Sequence, residues 1–265
     1  MNVAVSETGI DRDRLSLWLA CPSVVLANDS KALFESILSN EERTRLEGLH
    51  FSRDRREYLV AHALVRQALS HFHPIPPASW RFSHNPYGKP AIDPECGLHF
   101  NLAHSTDLTV CLISKRSEVG VDVEPYGHGF GILEIAKAVF SPLELAQLDS
   151  LDDTEKADHM LTLWTLKEAY VKARGKGFSL PLKTISFLRD EATGLRLDVE
   201  SSEKTRSGSN CRFCLIEQKG HRIAIVAESN VNPRVELWEL ASFMGFPRQL
   251  VEAQPVFYPL ERAPR

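Results

Sequence analysis

Residues 163–177 read LWTLKEAYVKARGKG and indicate a long helix near the middle of the chain. Trp164, Glu168 and Lys172 follow one another at intervals of four, so they project from one helix face. We predict a helix over about 156–174, with Gly175 as its C-terminal cap. The spacing alone allows either a solvated Glu168–Lys172 ion pair or a helix that presents an acid and a base to one substrate.

The residues before this helix carry further helix signals. In SPLELAQL, residues 141–148, Ser141 precedes Pro142 and Glu144, which is the pattern of a capping box with proline at the first helical position. The preceding stretch GILEIAKAVF, residues 131–140, predicts another helix.

The stretch GVDVE, residues 120–124, predicts a strand whose two faces differ in chemistry. Val121 and Val123 point to one side, and Asp122 and Glu124 point to the other. Two carboxylates on one face fit a solvated edge strand, and they equally fit a site for a hard cation such as Mg²⁺ or Mn²⁺. Glu168 from the long helix is a candidate third carboxylate.

The order of predicted elements is similar in the two parts of the chain. The first part has a half-buried strand at 14–20, a helix at 53–72 and two adjacent strands at 97–105 and 108–115. The second part has the long helix and then strands in TISFLR, RFCLIEQ and HRIAIVAE, the last two joined by a KG turn. We therefore predict an α+β protein of two similar halves, 1–118 and 119–265, joined near residues 116–120.

Several isolated polar residues are candidate contacts for an anion. Lys89 lies in YGKP, His104 ends a predicted strand, and Arg53 belongs to the basic cluster FSRDRR at a helix start. Each has a structural alternative: an ordinary turn, a structural histidine and a solvated helix end.

Two apparent motifs are rejected. GHGFGI, residues 127–132, lacks the third glycine of a dinucleotide fingerprint and follows an acidic strand. Cys211 and Cys214 form a CxxC pair, but they point to opposite faces of a predicted strand and no second ligand pair follows. We expect structural thiols there.

The bulk properties exclude several classes of protein. The 265 residues include 43% hydrophobic residues, enough for a sizeable core, and the formal net charge of −4 argues against sequence-independent nucleic-acid binding. No apolar run is long enough to cross a membrane, and the polar N-terminus does not look like a signal peptide. Five cysteines without a spaced framework fit reduced thiols in a cytoplasmic protein.

Four motifs occur in one order: GKP, FNLAHS, GVDVE and WTLKEAYVKARGKG. This ordered set, within about residues 39–190, resembles the Sfp-type 4'-phosphopantetheinyl transferases. The resemblance implies a pseudo-twofold α+β fold with its active site between the halves. It implies transfer of phosphopantetheine from coenzyme A to a serine of an apo acyl or peptidyl carrier protein, with release of 3',5'-ADP and a need for Mg²⁺.

The resemblance also implies roles for individual residues. Asp122, Glu124 and Glu168 match the metal carboxylates, and Glu168 also matches the proposed general base toward the carrier serine. Lys172 matches a lysine that contacts the phosphates and assists the leaving group.

The remaining matches concern coenzyme A. Lys89 and His104 match phosphate contacts, and Arg53 looks like a further contact to the 3'-phosphate. Many relatives have Ser or Thr directly before the motif histidine, whereas this chain has Ala103. We expect weaker or rearranged coenzyme A binding there, with only the backbone N–H available.

Two other functions remain open at this point. A Mg²⁺-dependent nucleotide pyrophosphohydrolase would share the carboxylates without needing a carrier protein. A non-catalytic carrier-binding module would have no need to bring like charges together. The length and the doubled plan favour a monomer that builds its site from its own two halves.

Overall fold

The structure is a computed structural model that describes residues 14–26, 31–190, 194–199, 211–240, 248–253 and 258–259. It combines helices with mainly antiparallel sheets, so the predicted α+β class is confirmed. The helices are α1 (Pro22–Val25), α2 (Lys31–Ser36), α3 (Asn40–Gly48), α4 (Ser52–Phe72), α5 (Gly129–Ile132), α6 (Ala136–Val139), α7 (Pro142–Leu148) and α8 (Asp153–Arg174). Short 3₁₀ turns occupy Pro77–Ser79, Gly177–Ser179 and Leu182–Thr184.

The strands form two larger sheets and two hairpins. They are β1 (Arg14–Ala20), β2 (Phe82–His84), β3 (Pro90–Ile92), β4 (His99–Ser105), β5 (Leu108–Ser114), β6 (Val119–Pro125), β7 (Ile185–Asp190), β8 (Gly194–Val199), β9 (Cys211–Gln218), β10 (His221–Glu228), β11 (Arg234–Glu239), β12 (Arg248–Ala253) and β13 (Tyr258–Pro259). One sheet has the order β12-β11-β1-β5-β4 and the other β13-β9-β10-β6, while β2-β3 and β7-β8 pair separately.

These elements stack in four layers. Helix α4 packs on one face of the five-stranded sheet, and α8 packs on one face of the four-stranded sheet. The other two faces meet in a shared core, to which β1 contributes Leu17 and β6 contributes Val121 and Val123. The site carboxylates on β6 therefore face α8, because the valines between them face the shared core.

Strand β1 lies in the middle of its sheet, between β11 and β5. The half-buried strand predicted for residues 14–20 is wrong in this respect, because every residue from Leu15 to Ala20 is buried. Its partner β11 comes from the far end of the described chain and pairs with it in parallel. Helix α4 covers one face of β1 and the four-stranded sheet covers the other, and no local pattern indicates either contact.

The single helix predicted over residues 131–140 is also wrong, because the chain forms two one-turn helices, α5 and α6. Gly129 and Gly131 weaken a helix at its start. A Cβ atom on Gly129 would lie 2.0 Å from the carbonyl oxygen of Ala157 in α8. The close approach of this backbone to α8 explains why glycine stands there.

Other local predictions are confirmed. Ser141 and Glu144 form a reciprocal capping box at α7, and Gly175 ends α8 with φ 61°. Lys219 and Gly220, with φ of 52° and 74°, make the tight turn between β9 and β10.

The boundary between the two predicted halves at 118/119 stays a prediction. Strands β11 and β12 follow that boundary in sequence, yet they join the sheet that contains β1, β4 and β5. Within the described ranges, no helix is both long and apolar enough to cross a membrane.

Candidate functional site

Gly120 brings β6 into direct contact with α8. A Cβ atom at this position would lie 1.9 Å from the carbonyl oxygen of Ala169 and 2.4 Å from the amide nitrogen of Ala173. Only glycine allows this approach of a strand to a helix backbone. Asp122 and Glu124 lie on the same face of the strand as Gly120, so they also face α8.

Asp122 pairs with Lys172 at the base of this contact. The Lys172 ammonium donates a hydrogen bond to Asp122 Oδ1 at 2.6 Å. The other oxygen, Oδ2, is buried and makes no hydrogen bond of good geometry to any described residue, although the Val123 amide lies near the carboxylate. Burial raises the pKa of Asp122 and the Lys172 charge opposes that rise. One buried carboxylate oxygen is therefore left without a donor, which normally costs free energy.

Glu124 has a partner for each of its oxygens. Trp164 donates its indole N–H to Oε1 at 2.9 Å, and His128 Nδ1 lies 2.6 Å from Oε2. Trp164 lies one turn before Glu168 on α8, which explains its place in the spacing of four residues. Trp164 and His128 were not assigned roles from the sequence, because their common partner is visible only in the folded chain.

Glu168 lies on α8 one turn before Lys172 and is half-buried. Burial raises its pKa, repulsion from Asp122 and Glu124 adds to the rise, and Lys172 opposes it. It makes no hydrogen bond to another residue in the described part of the chain. Of the two interpretations of this helix, the solvated ion pair is wrong, because Lys172 pairs with Asp122 across the β6–α8 contact.

The solvated edge strand is wrong as well. Strand β6 does lie at the edge of its sheet, but Asp122 is only 6% exposed. Asn101, in the motif FNLAHS, accepts the backbone N–H of Val121 at 2.9 Å through its side-chain oxygen. This bond satisfies an edge-strand donor and ties β4 to β6. A polar residue between Phe100 and Leu102 was the available sequence signal for it.

The three carboxylates do not form a ready-made metal cage. In the part of the chain that the structure describes, no group of three His, Cys, Asp or Glu side chains is arranged to hold a metal ion. Mg²⁺, however, commonly takes one or two carboxylates and completes its shell with water and substrate phosphates. The orphaned Asp122 Oδ2 and the unbonded carboxylate of Glu168 are suitable oxygen donors of this kind. The residues present thus fit a divalent ion that binds together with a phosphorylated substrate.

A cavity of about 270 Å³ opens beside this group. Residues on both sides of the predicted boundary at 118/119 line it. They are Tyr87, Gly88, Lys89, Pro90, Asn101, Leu102, Glu168, Val171, Lys172, Gly175, Gly177, Leu180 and Leu182. The cavity therefore lies between the two predicted halves, with Glu168 and Lys172 as its charged residues from α8.

Lys89 reaches this cavity wall but directs its ammonium to the protein. It donates to Glu118 Oε2, to the carbonyl oxygen of Val119 at 3.2 Å and to that of Ala173 at 3.0 Å. Its side chain is 12% exposed. Glu118, which the sequence did not single out, is thus the anionic partner of a predicted site residue.

Arg53 and His104 form a separate group with Glu57. Arg53 Nε donates to Glu57 Oε1 at 2.8 Å, and His104 Nδ1 lies 3.7 Å from Glu57 Oε2. Neither Arg53 nor His104 lines the cavity between the halves. The Ala103 side chain is buried in the core between the sheets, so it faces away from solvent. The fold thus brings Arg53 and His104 together through the Glu57 carboxylate, which the sequence did not indicate.

The CxxC pair behaves as expected. Cys211 packs in the core beneath α8, and Cys214 packs in the core between the sheets. All five cysteines are free thiols.

Comparison with known proteins gives consistent matches along the chain. A family profile described as "4'-phosphopantetheinyl transferase superfamily" matches residues 118–226, and one described as "4'-phosphopantetheinyl transferase, N-terminal" matches residues 28–116. The 4'-phosphopantetheinyl transferase Sfp of Bacillus subtilis is 34% identical over 164 residues, which cover 61% of this chain and 70% of the relative.

Other relatives carry similar names. The 4'-phosphopantetheinyl transferase AcpT of Escherichia coli is 37% identical over 121 residues, which cover 46% of this chain and 58% of the relative. Among solved structures, a holo-(acyl-carrier-protein) synthase from Bacillus anthracis, in complex with CoA (3',5'-ADP), matches with a TM-score of 0.36 and 18% identity. That match covers 42% of this chain and 96% of the other.

Proposed function

The chain belongs to the Sfp-type 4'-phosphopantetheinyl transferases, and from this premise we propose that its reaction takes place at Asp122, Glu168 and Lys172. The enzyme transfers the 4'-phosphopantetheine group of coenzyme A to a serine of an apo acyl or peptidyl carrier protein and releases 3',5'-ADP. The observation that carries the assignment is the buried Asp122 Oδ2, which has no hydrogen bond of good geometry among the described residues. The same carboxylate binds Lys172, which lines a cavity between the predicted halves.

Asp122, Glu124 and Glu168 would hold a divalent ion, Mg²⁺ or Mn²⁺, that binds together with coenzyme A. Such an ion supplies positive charge that offsets repulsion between the carboxylates and the phosphates and stabilises charge on the leaving group. Glu124 keeps its orientation through Trp164 and His128. Because Glu124 has a partner for each oxygen, Asp122 and Glu168 are the two carboxylates of the three that still have oxygens without a hydrogen-bond donor among the described residues.

Glu168 is the proposed general base. The carrier serine must lose a proton as its oxygen attacks phosphorus, and a carboxylate within hydrogen-bond reach can take it. A raised pKa makes Glu168 a better proton acceptor than an ordinary glutamate while it is ionised. The absence of a hydrogen bond to other described residues leaves its oxygens available.

Lys172 is the proposed phosphate contact on the leaving side. Its ammonium has three donors, of which Asp122 Oδ1 takes one, and its side chain is 29% exposed. The remaining donors are free to bind the phosphates and to stabilise the departing 3',5'-ADP as a point charge. Asp122 thus orients the lysine that the phosphates require.

Arg53 and His104 are proposed to hold the 3'-phosphate, with Glu57 keeping the two side chains together. Ala103 has no hydroxyl to add to that contact, so this part of the site depends on the Arg53 and His104 side chains. We further propose that the two halves, 1–118 and 119–265, act within one monomer. A cytoplasmic location is proposed from the five free thiols, which suit a reducing compartment.

The decisive experiment incubates the purified protein with coenzyme A, Mg²⁺ and a panel of apo acyl and peptidyl carrier proteins. Intact-mass measurement of each carrier is expected to show the gain of one phosphopantetheine, with 3',5'-ADP in the supernatant. Release of free phosphopantetheine without a mass gain would instead indicate a pyrophosphohydrolase. Carrier binding with intact coenzyme A throughout the panel would indicate a non-catalytic binding module.

A further inference from the structure

The turn at residues 85–89 is fastened to the C-terminal end of α8. Asn85 donates its side-chain N–H to the carbonyl oxygen of Gly175 at 2.8 Å. The oxygen of the same side chain accepts the backbone N–H groups of Tyr87 and Lys89, each at 2.9 Å. Asn85 thus orders its own turn and joins it to the helix that carries Glu168 and Lys172.

Gly175 permits this contact for two reasons. Its φ of 61° is a left-handed conformation that residues with a side chain rarely adopt. In addition, a Cβ atom there would lie 2.9 Å from Lys89 Cδ and 3.1 Å from Asn85 Nδ2. A glycine is needed both to end α8 and to make room for the turn.

The Lys89 ammonium completes the connection. A lysine ammonium has three donors, and here three protein oxygens accept them: Glu118 Oε2, Val119 O and Ala173 O. Glu118 directly precedes β6, Val119 begins it, and Ala173 lies in the last turn of α8. The ammonium therefore joins the turn to both elements of the candidate site.

Glu118 is itself held in place from a second side. Its Oε1 lies 3.0 Å from His99 Nδ1, while Oε2 accepts from Lys89. The His99 hydrogen bond, together with Lys89, lowers the pKa of Glu118 to about 2, so the carboxylate stays ionised near neutral pH. A permanent negative charge is thus available to hold the ammonium.

The connection forms a wall between two cavities. Lys89, Pro90 and Gly175 line both the 270 Å³ cavity beside Glu168 and a second cavity of about 690 Å³ that Glu118 and His99 also line. A wall shared in this way sets the width of the first cavity. If the turn moved away from α8, the two cavities would join.

We propose that the 270 Å³ cavity beside Glu168 takes coenzyme A and that Glu118 is a positioning residue for it, acting through Lys89, which clamps the 85–89 turn to β6 and α8. This inference rests on the proposed function. Under this proposal, Lys89 supports coenzyme A binding by fixing the cavity wall. Its ammonium keeps its hydrogen bonds to the three protein oxygens when coenzyme A binds. Glu118 does not touch the substrate.

The direction in which one substitution changes the KM for coenzyme A separates this proposal from simple charge repulsion. A carboxylate that is only a neighbour of an anionic substrate repels it, so removal of its charge lowers the KM for coenzyme A. A carboxylate that positions the wall has the opposite effect, because its removal releases Lys89 and the turn. Glu118→Gln is therefore expected to raise the KM for coenzyme A about tenfold with kcat nearly unchanged.

Matched variants make the kinetic test specific. Glu95→Gln removes an exposed carboxylate that lines the same second cavity and is expected to leave the KM unchanged or slightly lower. Lys89→Met is expected to match Glu118→Gln, and the double variant is expected to be no worse than the worse single variant. Lys89→Arg is expected to raise the KM as well, because a planar guanidinium does not reproduce the three-acceptor geometry.

A second readout does not depend on turnover. Hydrogen exchange of the Tyr87 and Lys89 amides is expected to be faster in Glu118→Gln than in the wild type, and unchanged in Glu95→Gln. Absence of transfer by the wild type would count against the proposed function alone, and exchange would still decide the clamp. The clamp is overturned if Glu118→Gln lowers or preserves the KM, if the double variant is additive, or if exchange is unchanged.

Discussion

Helix α8 carries two lysine–carboxylate pairs five residues apart, Lys167–Glu144 and Lys172–Asp122. In the first pair both side chains are fully buried. Lys167 also donates to the carbonyl oxygens of Leu182 and Ile185. Glu144 accepts the backbone N–H groups of Ser141 and Phe187. Every polar atom of this pair is therefore satisfied by the protein.

The second pair is incomplete by the same criterion. Lys172 donates to Asp122 alone among the described residues, and Asp122 Oδ2 has no donor of good geometry. A buried pair whose hydrogen bonds are all made serves structure, because nothing remains for a substrate to satisfy. A pair with unused donors and acceptors beside a cavity can be completed by a substrate and its metal ion. By this measure Lys89, with three acceptors, resembles Lys167 more than Lys172.

The largest expected effect is on activity and concerns the incomplete pair. Asp122→Asn keeps the shape of the side chain but removes the charge that a metal ion and Lys172 need. Transfer is expected to fall by three to four orders of magnitude, about 5 kcal/mol of transition-state stabilisation. Urea denaturation is expected to show almost no loss of stability. Normal turnover in Mg²⁺ by this variant would remove Asp122 from the proposed metal site.

The matched change in the complete pair is expected to have the reverse outcome. Glu144→Gln leaves the Lys167 ammonium buried without its counter-charge, and such a change costs about 4 kcal/mol of the free energy of unfolding. Urea denaturation measures the loss, and transfer by the remaining folded protein is expected to be normal. If Glu144→Gln and Asp122→Asn changed transfer activity and stability to urea in the same way, the contrast between the two pairs would be wrong.

A third buried group on α8 sharpens the comparison. His159 is 3% exposed and its Nε2 has no hydrogen-bond partner within the described ranges. Burial, and then the nearby Arg189 charge, lowers its pKa to about 4. Between pH 6.5 and 4 the unfolded chain binds a proton that the folded chain does not, so stability falls as pH falls through this window.

His159→Leu is expected to remove that dependence, which amounts to about 3 kcal/mol across the window. The measurement is urea denaturation of the wild type and the variant at several pH values, and the difference between the two curves isolates this histidine. Transfer near neutral pH is expected to be unaffected. If the unfolding free energies of the wild type and the variant changed with pH in the same way, His159 would not be buried in its neutral form.

The smallest expected effect concerns an exposed contact. Arg53 pairs with Glu57 and its side chain is 61% exposed. Arg53→Ala is expected to raise the KM for coenzyme A about threefold with little change in kcat, since solvent screens an exposed charge. Arg234→Ala, an exposed arginine at the start of β11, is the control and is expected to change neither constant. A fall in kcat at constant KM would contradict a ground-state phosphate contact.

The parts of the site that the sequence indicated are those that depend on local geometry. Alternation in GVDVE put Asp122 and Glu124 on one face of a strand. The spacing of four residues put Glu168 and Lys172 on one face of a helix. Their assignment to metal and phosphate remains a prediction. The partners were not visible in this way: Asn101, Glu118 and Glu57 became site neighbours through contacts between distant segments.

The sequence by itself determined several elements of this protein, including α4, α7, α8 and the β9–β10 hairpin, and some of their ends. The capping box of Ser141 and Glu144, the glycine at 175 and the Lys219–Gly220 turn each act within a few residues, so their signals are local. Only the tertiary structure decided that β11 pairs with β1 and that Lys89 binds Glu118. It also decided that the Lys167 side chain is fully buried while the Lys172 side chain remains partly exposed. Burial and pairing depend on which faces meet across the chain, and residue order constrains those meetings only weakly.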